Sequence, residues 1–86
     1  MANTPQARKR VLQNEKRRLR NKHQKSRMRS AIKEVEQALA AGDKQAAEQA
    51  LKPAVKQIDH TASKGAIHKN AAARTVSRLT RKVQQL

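Results

Sequence analysis

The stretch SAIKEVEQALAAGDKQAAEQAL, residues 30–51, has the pattern of a helix, a sharp turn and a second helix. Its apolar residues recur at helical steps of three and four as far as Leu39, and Gly42 then interrupts the pattern. Glycine readily adopts the left-handed backbone conformation that ends many helices, and Asp43 suits the N-cap of the next helix. We therefore expect two helices that fold back on each other at this glycine.

Upstream of this turn, nothing breaks a helix as far back as Pro5, and Thr4 is the expected N-cap with proline at the first helical position. A first helix over about residues 5–41 has a length on the order of 55 Å. Its apolar stripe is confined to the second half and consists of Met28, Ile32, Val35 and Leu39. The first half offers only Val11, Leu12 and Leu19 among many basic residues.

Downstream, a second helix is expected over about 43–64 and a third over about 68–85, with Gly65 ending the second. Pro53 predicts a kink in the second helix, or a helix that begins near it. The stripe of the second helix is Ala47, Leu51, Ala54 or Val55, Ile58 and Ala62. That of the third is Ala72, Val76, Leu79, Val83 and Leu86.

Three apolar stripes joined by two glycine turns predict an all-α fold, an antiparallel three-helix bundle in a single domain over residues 1–86. Because the second and third helices reach only about 30 Å, the basic half of the first must project beyond the bundle. This half has no core to pack on. We therefore expect it to fray in the free protein and to be ordered by its partner.

Positive charge dominates the composition, since 21 Lys and Arg stand against six Asp and Glu, a net charge of +15 over 86 residues. Residues 1–29 carry a net charge of +10, residues 30–60 of −1 and residues 61–86 of +6. Such an excess repels itself unless a polyanion neutralises it. Nucleic acid is the first partner to consider, and an anionic membrane surface is the second.

The chain lacks the residues that several classes of function require. The chain has no cysteine, its three histidines lack metal-site spacing and a carboxylate that would complete a ligand set, and no acid follows Asp59 to orient His68. We therefore expect no metal, no cofactor and no catalysis. No apolar run is long enough to span a membrane, and residues 1–10 lack the apolar region of a secretory signal. We expect a soluble, cytosolic protein.

The absence of aromatic residues narrows the mode of nucleic-acid binding. Single-strand binders stack bases on aromatic rings, and membrane-surface helices usually anchor through them. A basic zipper is disfavoured as well, because Gly42 ends the apolar seam after Leu39. The remaining mode is contact with phosphate and ribose on a folded nucleic acid. A helix that is basic on every side suits strands that approach from several directions, and folded RNA provides this geometry more readily than a single duplex does.

The segment KGAIHKNAAAR, residues 64–74, gathers a glycine, a histidine, an asparagine and three bases. It fails as a phosphate-binding P-loop, but it fits a turn into a helix whose cap is Asn70 or a residue just before it. The acid that usually accompanies a helix N-terminus is missing here, and a phosphate can supply that charge. The alternative is a plain tight turn with Ile67 tucked into the core and solvated polar residues.

The chain resembles the S20 family of bacterial small-subunit ribosomal proteins over essentially its full length. The similarity lies in MAN at the start, RLRNKHQKSRMRSAIKEV at 18–35, AAGDKQAA at 40–47 and, most specifically, IDHTASKGAIHKNAAARTVSRLTRKV at 58–83. The sequence departs from the family pattern at Pro53, Ala66, Thr75 and Val76.

The resemblance implies a three-helix bundle with an extended first helix. It also implies direct binding to small-subunit (16S) ribosomal RNA early in assembly, at the lower body of the particle. It implies neither enzyme activity nor a cofactor, and it places the protein in the cytoplasm, in the ribosome, beside other components of the small subunit. Neither a membrane partner nor a homo-oligomer is expected.

Two groups of residues are expected to contact RNA. The candidates on the first helix are Arg8, Lys9, Arg10, Lys16, Arg17, Arg18, Arg20, Asn21, Lys22, Lys25, Ser26, Arg27 and Arg29. Those of the second group are Lys64, His68, Lys69, Asn70, Arg74, Ser77 and Arg78. Two competing interpretations are a DNA-compacting protein, for which minor-groove wedge residues are lacking, and a membrane-active or regulatory basic helix, which the two later stripes disfavour.

Overall fold

The computed structural model describes residues 5–86, and these fold into helices without a strand. Helix α1 spans Pro5–Ala40, α2 spans Lys44–Ser63 and α3 spans Lys69–Gln84. The all-α fold and the long first helix are therefore confirmed. The expected N-cap at Thr4 lies outside the described residues.

Two glycines set the ends of α1 and α2, because each stands in the left-handed region with a φ of 72° at Gly42 and 78° at Gly65. At the end of α1, the N–H of Gly42 donates to the carbonyl of Leu39, and the N–H of Asp43 donates to that of Ala38. The end of α2 repeats the same pair of bonds around Gly65. Both ends are thus Schellman motifs, which satisfy carbonyls that the helix leaves free.

The middle helix α2 carries most of the packing: it contacts both α1 and α3 extensively, whereas α1 and α3 barely touch. Helices α1 and α2 are antiparallel. The carboxyl end of α1 leads directly into α2 through Gly42, while Gln24, far upstream on α1, bonds to Gln57 and Thr61 near the end of α2. The described chain measures 57 × 20 × 16 Å, and α1 lies along most of the long dimension.

The core is small and rich in alanine. Its buried apolar residues are Val35, Ala47, Ala54, Ile58, Ala72, Leu79 and Val83. Met28, Ile32, Leu39, Leu51, Ile67 and Val76 are among the partly buried residues that pack around it. The predicted stripes are confirmed with three differences. Ala54 rather than Val55 is buried, Thr61 takes the buried position next to the expected Ala62, and Leu86 lies beyond α3 and is 43% exposed.

Helix α2 begins well before its proline. The Asp43 carboxylate accepts the N–H of Ala46 at 3.1 Å, which confirms the predicted cap. Because α2 starts at Lys44, the alternative of a helix beginning near Pro53 is wrong. Pro53 is exposed inside the helix, so it costs one backbone hydrogen bond, that of the Gln49 carbonyl, without occupying core space.

Candidate RNA interface

Helix α1 changes surroundings at Asn21. Every residue from Arg8 to Arg20 is exposed, and half-buried positions begin with Asn21, Gln24 and Lys25. These three continue the helical spacing of the apolar stripe by nearly two turns toward the N-terminus. The packed part of α1 therefore begins before Met28, the first residue of the predicted stripe. Its first positions carry polar side chains, which an apolar pattern does not reveal.

A polar network joins α1 to α2 at this point. The Thr61 hydroxyl donates to the carbonyl of Gln57 at 2.7 Å and lies 3.3 Å from the carbonyl of Gln24. The Gln57 Nε2 donates to the Gln24 Oε1 at 3.1 Å and to the Thr61 hydroxyl at 3.3 Å. Thr61 is fully buried, and no buried side-chain polar atom lacks a partner within residues 5–86. Among the described residues, the network is thus the last hydrogen-bonded contact between α1 and α2 before α1 leaves the bundle.

The basic candidates on α1 lie on all sides of the helix and face solvent. Successive residues are about 100° apart around a helix axis, so bases at consecutive and near-consecutive positions cannot share one face. Among the candidates on α1 only Asn21 and Lys25 are half-buried, and the rest are exposed. Over the described part of the chain no carboxylate forms an ion pair with any of these bases. Their charge is therefore available to an external anion.

One cleft brings the two predicted groups together. It has a volume of about 280 Å³, and its lining residues are Arg17, Arg20, Asn21, Gln24 and Lys64. Lys64 is the C-cap of α2, so the cleft lies between the projecting part of α1 and the turn that joins α2 to α3. The sequence did not indicate this meeting, because Lys64 is at least 40 residues away from the α1 side chains along the chain.

A second, more open groove follows one face of α1 and is formed by bases and one amide. The residues that line it are Arg18, Asn21, Lys22, Lys25 and Arg29. Asn21 borders both this groove and the cleft, which makes its amide a shared hydrogen-bonding group. Farther out, Lys9 and Arg10 stand beside Gln6 and Gln13 in another shallow depression.

The start of α3 has a histidine cap. The Nδ1 atom of His68 accepts the N–H of Asn70 at 3.1 Å, so His68 is the N-cap and Asn70 is not. Using Nδ1 as the acceptor fixes the neutral tautomer in which Nε2 carries the proton, and this N–H is left for a ligand. Ile67 packs against the core, as in the plain-turn interpretation, while His68, Lys69 and Asn70 remain exposed.

Helix α3 presents its bases away from the core. The candidates Asn70, Arg74, Ser77 and Arg78 are exposed and recur at steps of four, three and one, which places them on the side opposite Ala72, Leu79 and Val83. Arg81, three residues after Arg78, continues this face and was missed. The same spacing rule would have found it. Since α1 and α3 barely touch, this basic face is separate from that of α1.

Two other classes of site have no candidate within residues 5–86. No group of three or more His, Cys, Asp or Glu side chains is placed to hold a metal ion. None of the helices there combines the length and the apolar character that crossing a bilayer requires.

Comparison with known proteins places this basic helical bundle in a family. A family profile described as Ribosomal protein S20 matches residues 2–84. Proteins named small ribosomal subunit protein bS20 are 54% identical in Acidithiobacillus ferrooxidans, over 100% of this chain and 94% of the relative. The identity is 51% in Novosphingobium aromaticivorans, with all of both chains covered, and 54% in Nitrosomonas eutropha, with 99% of the relative covered. The chain belongs to the ribosomal protein S20 family.

Proposed function

We propose that this chain is a structural constituent of the small ribosomal subunit in the cytoplasm. It binds 16S ribosomal RNA directly through phosphate and ribose contacts and stabilises the RNA fold during assembly. Its role is one of binding, without catalysis and without a cofactor. Its relatives carry the name of a small-subunit protein, and the chain covers them over almost their full length.

The observation that carries the proposal is the unneutralised basic surface of α1. A solvated helix usually mixes charges of both signs, whereas residues 5–29 hold eleven bases and one acid, Glu15. These bases form no ion pair within the described residues, and α1 carries those from Arg8 to Arg20 beyond the end of the bundle. A helix with this charge distribution is stable next to several phosphate strands and self-repelling without them.

The arrangement suits a protein that holds RNA segments together. The basic half of α1 contacts phosphates around its circumference, and the exposed face of α3 supplies a second surface with Arg74 and Arg78. Because α2 separates the two surfaces, they contact different strands. Phosphate contacts of this kind position a folded RNA without reading its sequence.

The test is association with the subunit and with its RNA. In a sucrose gradient of cell lysate at low salt with magnesium, the protein is expected to sediment with the small subunit. In a binding titration, 16S ribosomal RNA is expected to be bound more tightly than duplex DNA of equal length in nucleotides. Absence from the small-subunit peak would contradict the proposal, and a preference for DNA would favour the DNA-compacting alternative.

The start of α3 offers a narrower test of the RNA contacts. The His68 Nε2–H, the Lys69 ammonium and the N–H groups of the first turn that the His68 ring does not use lie at the same helix start and offer a phosphate both charge and donors. Changing His68, Lys69 and Asn70 together to alanine should weaken binding by more than about 1.5 kcal/mol, the lower value for one charged hydrogen bond. A loss below about 0.5 kcal/mol would show that this position holds no phosphate.

A further inference from the structure

The cleft between α1 and the turn after α2 differs from the rest of the basic surface in shape. Elsewhere the α1 bases line more open grooves formed by this helix alone, where each can contact a different phosphate. Here Arg17 and Arg20 of α1 stand on one side and Lys64 of the turn on the other. The volume of about 280 Å³ is enough for one phosphate group with part of its hydration.

The floor of the cleft supplies amide donors. The Gln24 Oε1 accepts the bond from Gln57, so the bundle occupies the acceptor end of this amide and leaves its NH₂ donors unused. Asn21, also half-buried, places a second amide beside it. Because the Gln24 side chain is tied to α2 through this bond, the donors are held in place before a ligand arrives, which lowers the entropic cost of binding.

The charge balance favours an anion. The three cations have no carboxylate partner within the described residues. The end of α2 contributes an opposing partial charge of about −0.5 at most. Part of that effect is removed, because the carbonyls of His60, Thr61 and Ala62 already accept bonds from the turn. The attraction of three positive charges and two amide donors for an anion is therefore greater than the repulsion from the carboxyl end of α2.

From this geometry we infer that the cleft binds a single phosphate group of the RNA backbone, which Arg17 and Arg20 contact from one side and Lys64 from the other. This inference rests on the proposed function and adds a specific role to it. The shared phosphate bridges the projecting half of α1 to the bundle, so RNA itself fixes the direction in which α1 leaves the core. Gln24, absent from the sequence-based candidates, becomes a phosphate-contacting residue.

A double-mutant cycle on 16S ribosomal RNA binding tests whether Arg17 and Lys64 share a phosphate. The variants are Arg17→Gln, Lys64→Gln and their combination in the full-length protein. Arg18→Gln, alone and with Lys64→Gln, is the matched control, because Arg18 is the next residue but lines the neighbouring groove rather than the cleft. All three positions are exposed, and glutamine is a good helix former, so the variants should fold.

Each single change is expected to lower the affinity about tenfold or more, the loss of one charge-assisted contact. If the two side chains share a phosphate, the Arg17→Gln, Lys64→Gln double variant should lose at least about threefold less than the product of its single losses. For the control pair, the losses of affinity caused by Arg18→Gln and Lys64→Gln should multiply in the double variant. Multiplying losses at Arg17 and Lys64, or no loss at either, would overturn the inference. Wild-type protein that fails to bind the RNA would instead overturn the proposed function.

Discussion

Thr61 and His68 show how single polar side chains organise this fold. Thr61 is fully buried and still satisfied, because its hydroxyl bonds within α2 and meets Gln24 and Gln57 at the α1 contact. His68 uses one ring nitrogen to begin α3 and keeps the other for the surface. In a core this short of large apolar residues, such bonds supply the specificity that packing alone does not.

Thr61→Val should destabilise the protein by about 1 kcal/mol, the usual net value of a buried hydrogen bond. Valine keeps the shape and the β-branch of threonine, so the change isolates the hydroxyl. Thr75→Val is the matched control, because the Thr75 hydroxyl makes the same bond four residues back, to Ala71 at 2.9 Å, within α3. Urea denaturation gives both values. Equal losses would show that the contact between α1 and α2 does not depend on the hydroxyl.

The cap at His68 predicts a graded series. His68→Ala should cost about 1 kcal/mol of unfolding free energy, whereas His68→Asn should retain most of it, because asparagine caps helices well. His60→Ala serves as the control, since His60 is exposed inside α2 and its side chain caps nothing. Thermal or urea unfolding measures the series. If asparagine were as destabilising as alanine, the imidazole would stabilise α3 by something other than the cap.

At the scale of elements, α1 is one continuous helix with two different supports. Its second half is held by the core residue Val35 and by the partly buried Met28, Ile32 and Leu39. Its first half carries exposed Leu12 and Leu19, 60% and 59% exposed, which find no packing partner in the bundle. Helices in water owe most of their stability to such packing. The two halves should therefore differ in stability.

The three helices and their turns were predictable because alanine-rich spacing, Gly42, Asp43 and Gly65 each indicate one structure strongly. The residue at which α1 begins to pack was not predictable, because Asn21 and Gln24 lie on the packed face of the helix without being apolar. A polar residue whose hydrogen-bond partner lies far away along the chain cannot be recognised as a packing residue from its sequence neighbours. For the same reason, the sequence predicted the neighbouring Ala62, and not Thr61, as the core residue.

The cleft was also beyond sequence reasoning, although four of its five lining residues were individual candidates. Charge predicted that Arg17, Arg20 and Lys64 contact RNA, but only the packing of α2 against α1 places Lys64 opposite the two arginines. At the start of α3 the sequence left Asn70 or a residue just before it as the cap, and the structure shows His68, which is a less common N-cap than asparagine.

Gly42→Ala and Gly65→Ala should each destabilise the bundle by about 1–2 kcal/mol, the cost of a left-handed conformation for a residue with a Cβ atom. An added Cβ meets no atom within 4 Å at either glycine, so the loss comes from the backbone and not from a clash. Asparagine, which tolerates this conformation better, should cost less at both positions. Denaturation midpoints measure the difference, and alanine variants as stable as wild type would contradict it.

Hydrogen exchange should separate the two halves of α1 in the free protein. Amides of residues 5–20 should exchange at rates close to those of an unfolded chain, while those of Val35, Ile58 and Leu79 should exchange only on global unfolding. Adding 16S ribosomal RNA should slow the first group selectively. Strong protection of residues 5–20 without RNA would show that α1 is preformed and that binding orders nothing there.

On the scale of the whole molecule, charge and packing are separated along the long axis. Five of the six acids lie in residues 30–60, which hold the packed end of α1 and most of α2, whereas eleven of the 21 bases lie in residues 1–29. The α1–α2 part of the bundle is thus nearly neutral, while residues 1–29 carry a net charge of +10 and residues 61–86, with α3, carry +6. Repulsion within the projecting half of α1 opposes its order in isolation, and phosphates remove the repulsion on binding. Stability therefore depends on the packed part of the chain, whereas the projecting half of α1 contributes to RNA affinity without contributing to the core.

Two sets of four substitutions test this separation. One set changes four bases of the projecting half to glutamine: Arg8, Lys9, Arg10 and Lys16. The other changes four exposed lysines of the bundle: Lys33, Lys44, Lys52 and Lys56. Both sets remove four positive charges from a net charge of +15, so overall electrostatic attraction to RNA falls equally.

Only the first set should change the contacts. The slope of log affinity against log salt concentration should become shallower by about three to four units, since each phosphate contact contributes about 0.9 in a duplex. The bundle set should leave the slope nearly unchanged. Neither set should lower the unfolding free energy by more than about 0.5 kcal/mol, because all eight side chains are exposed and unpaired in the described structure. Equal slopes for the two sets would mean that net charge alone drives binding, and the projecting half of α1 would then have no special place in the interface.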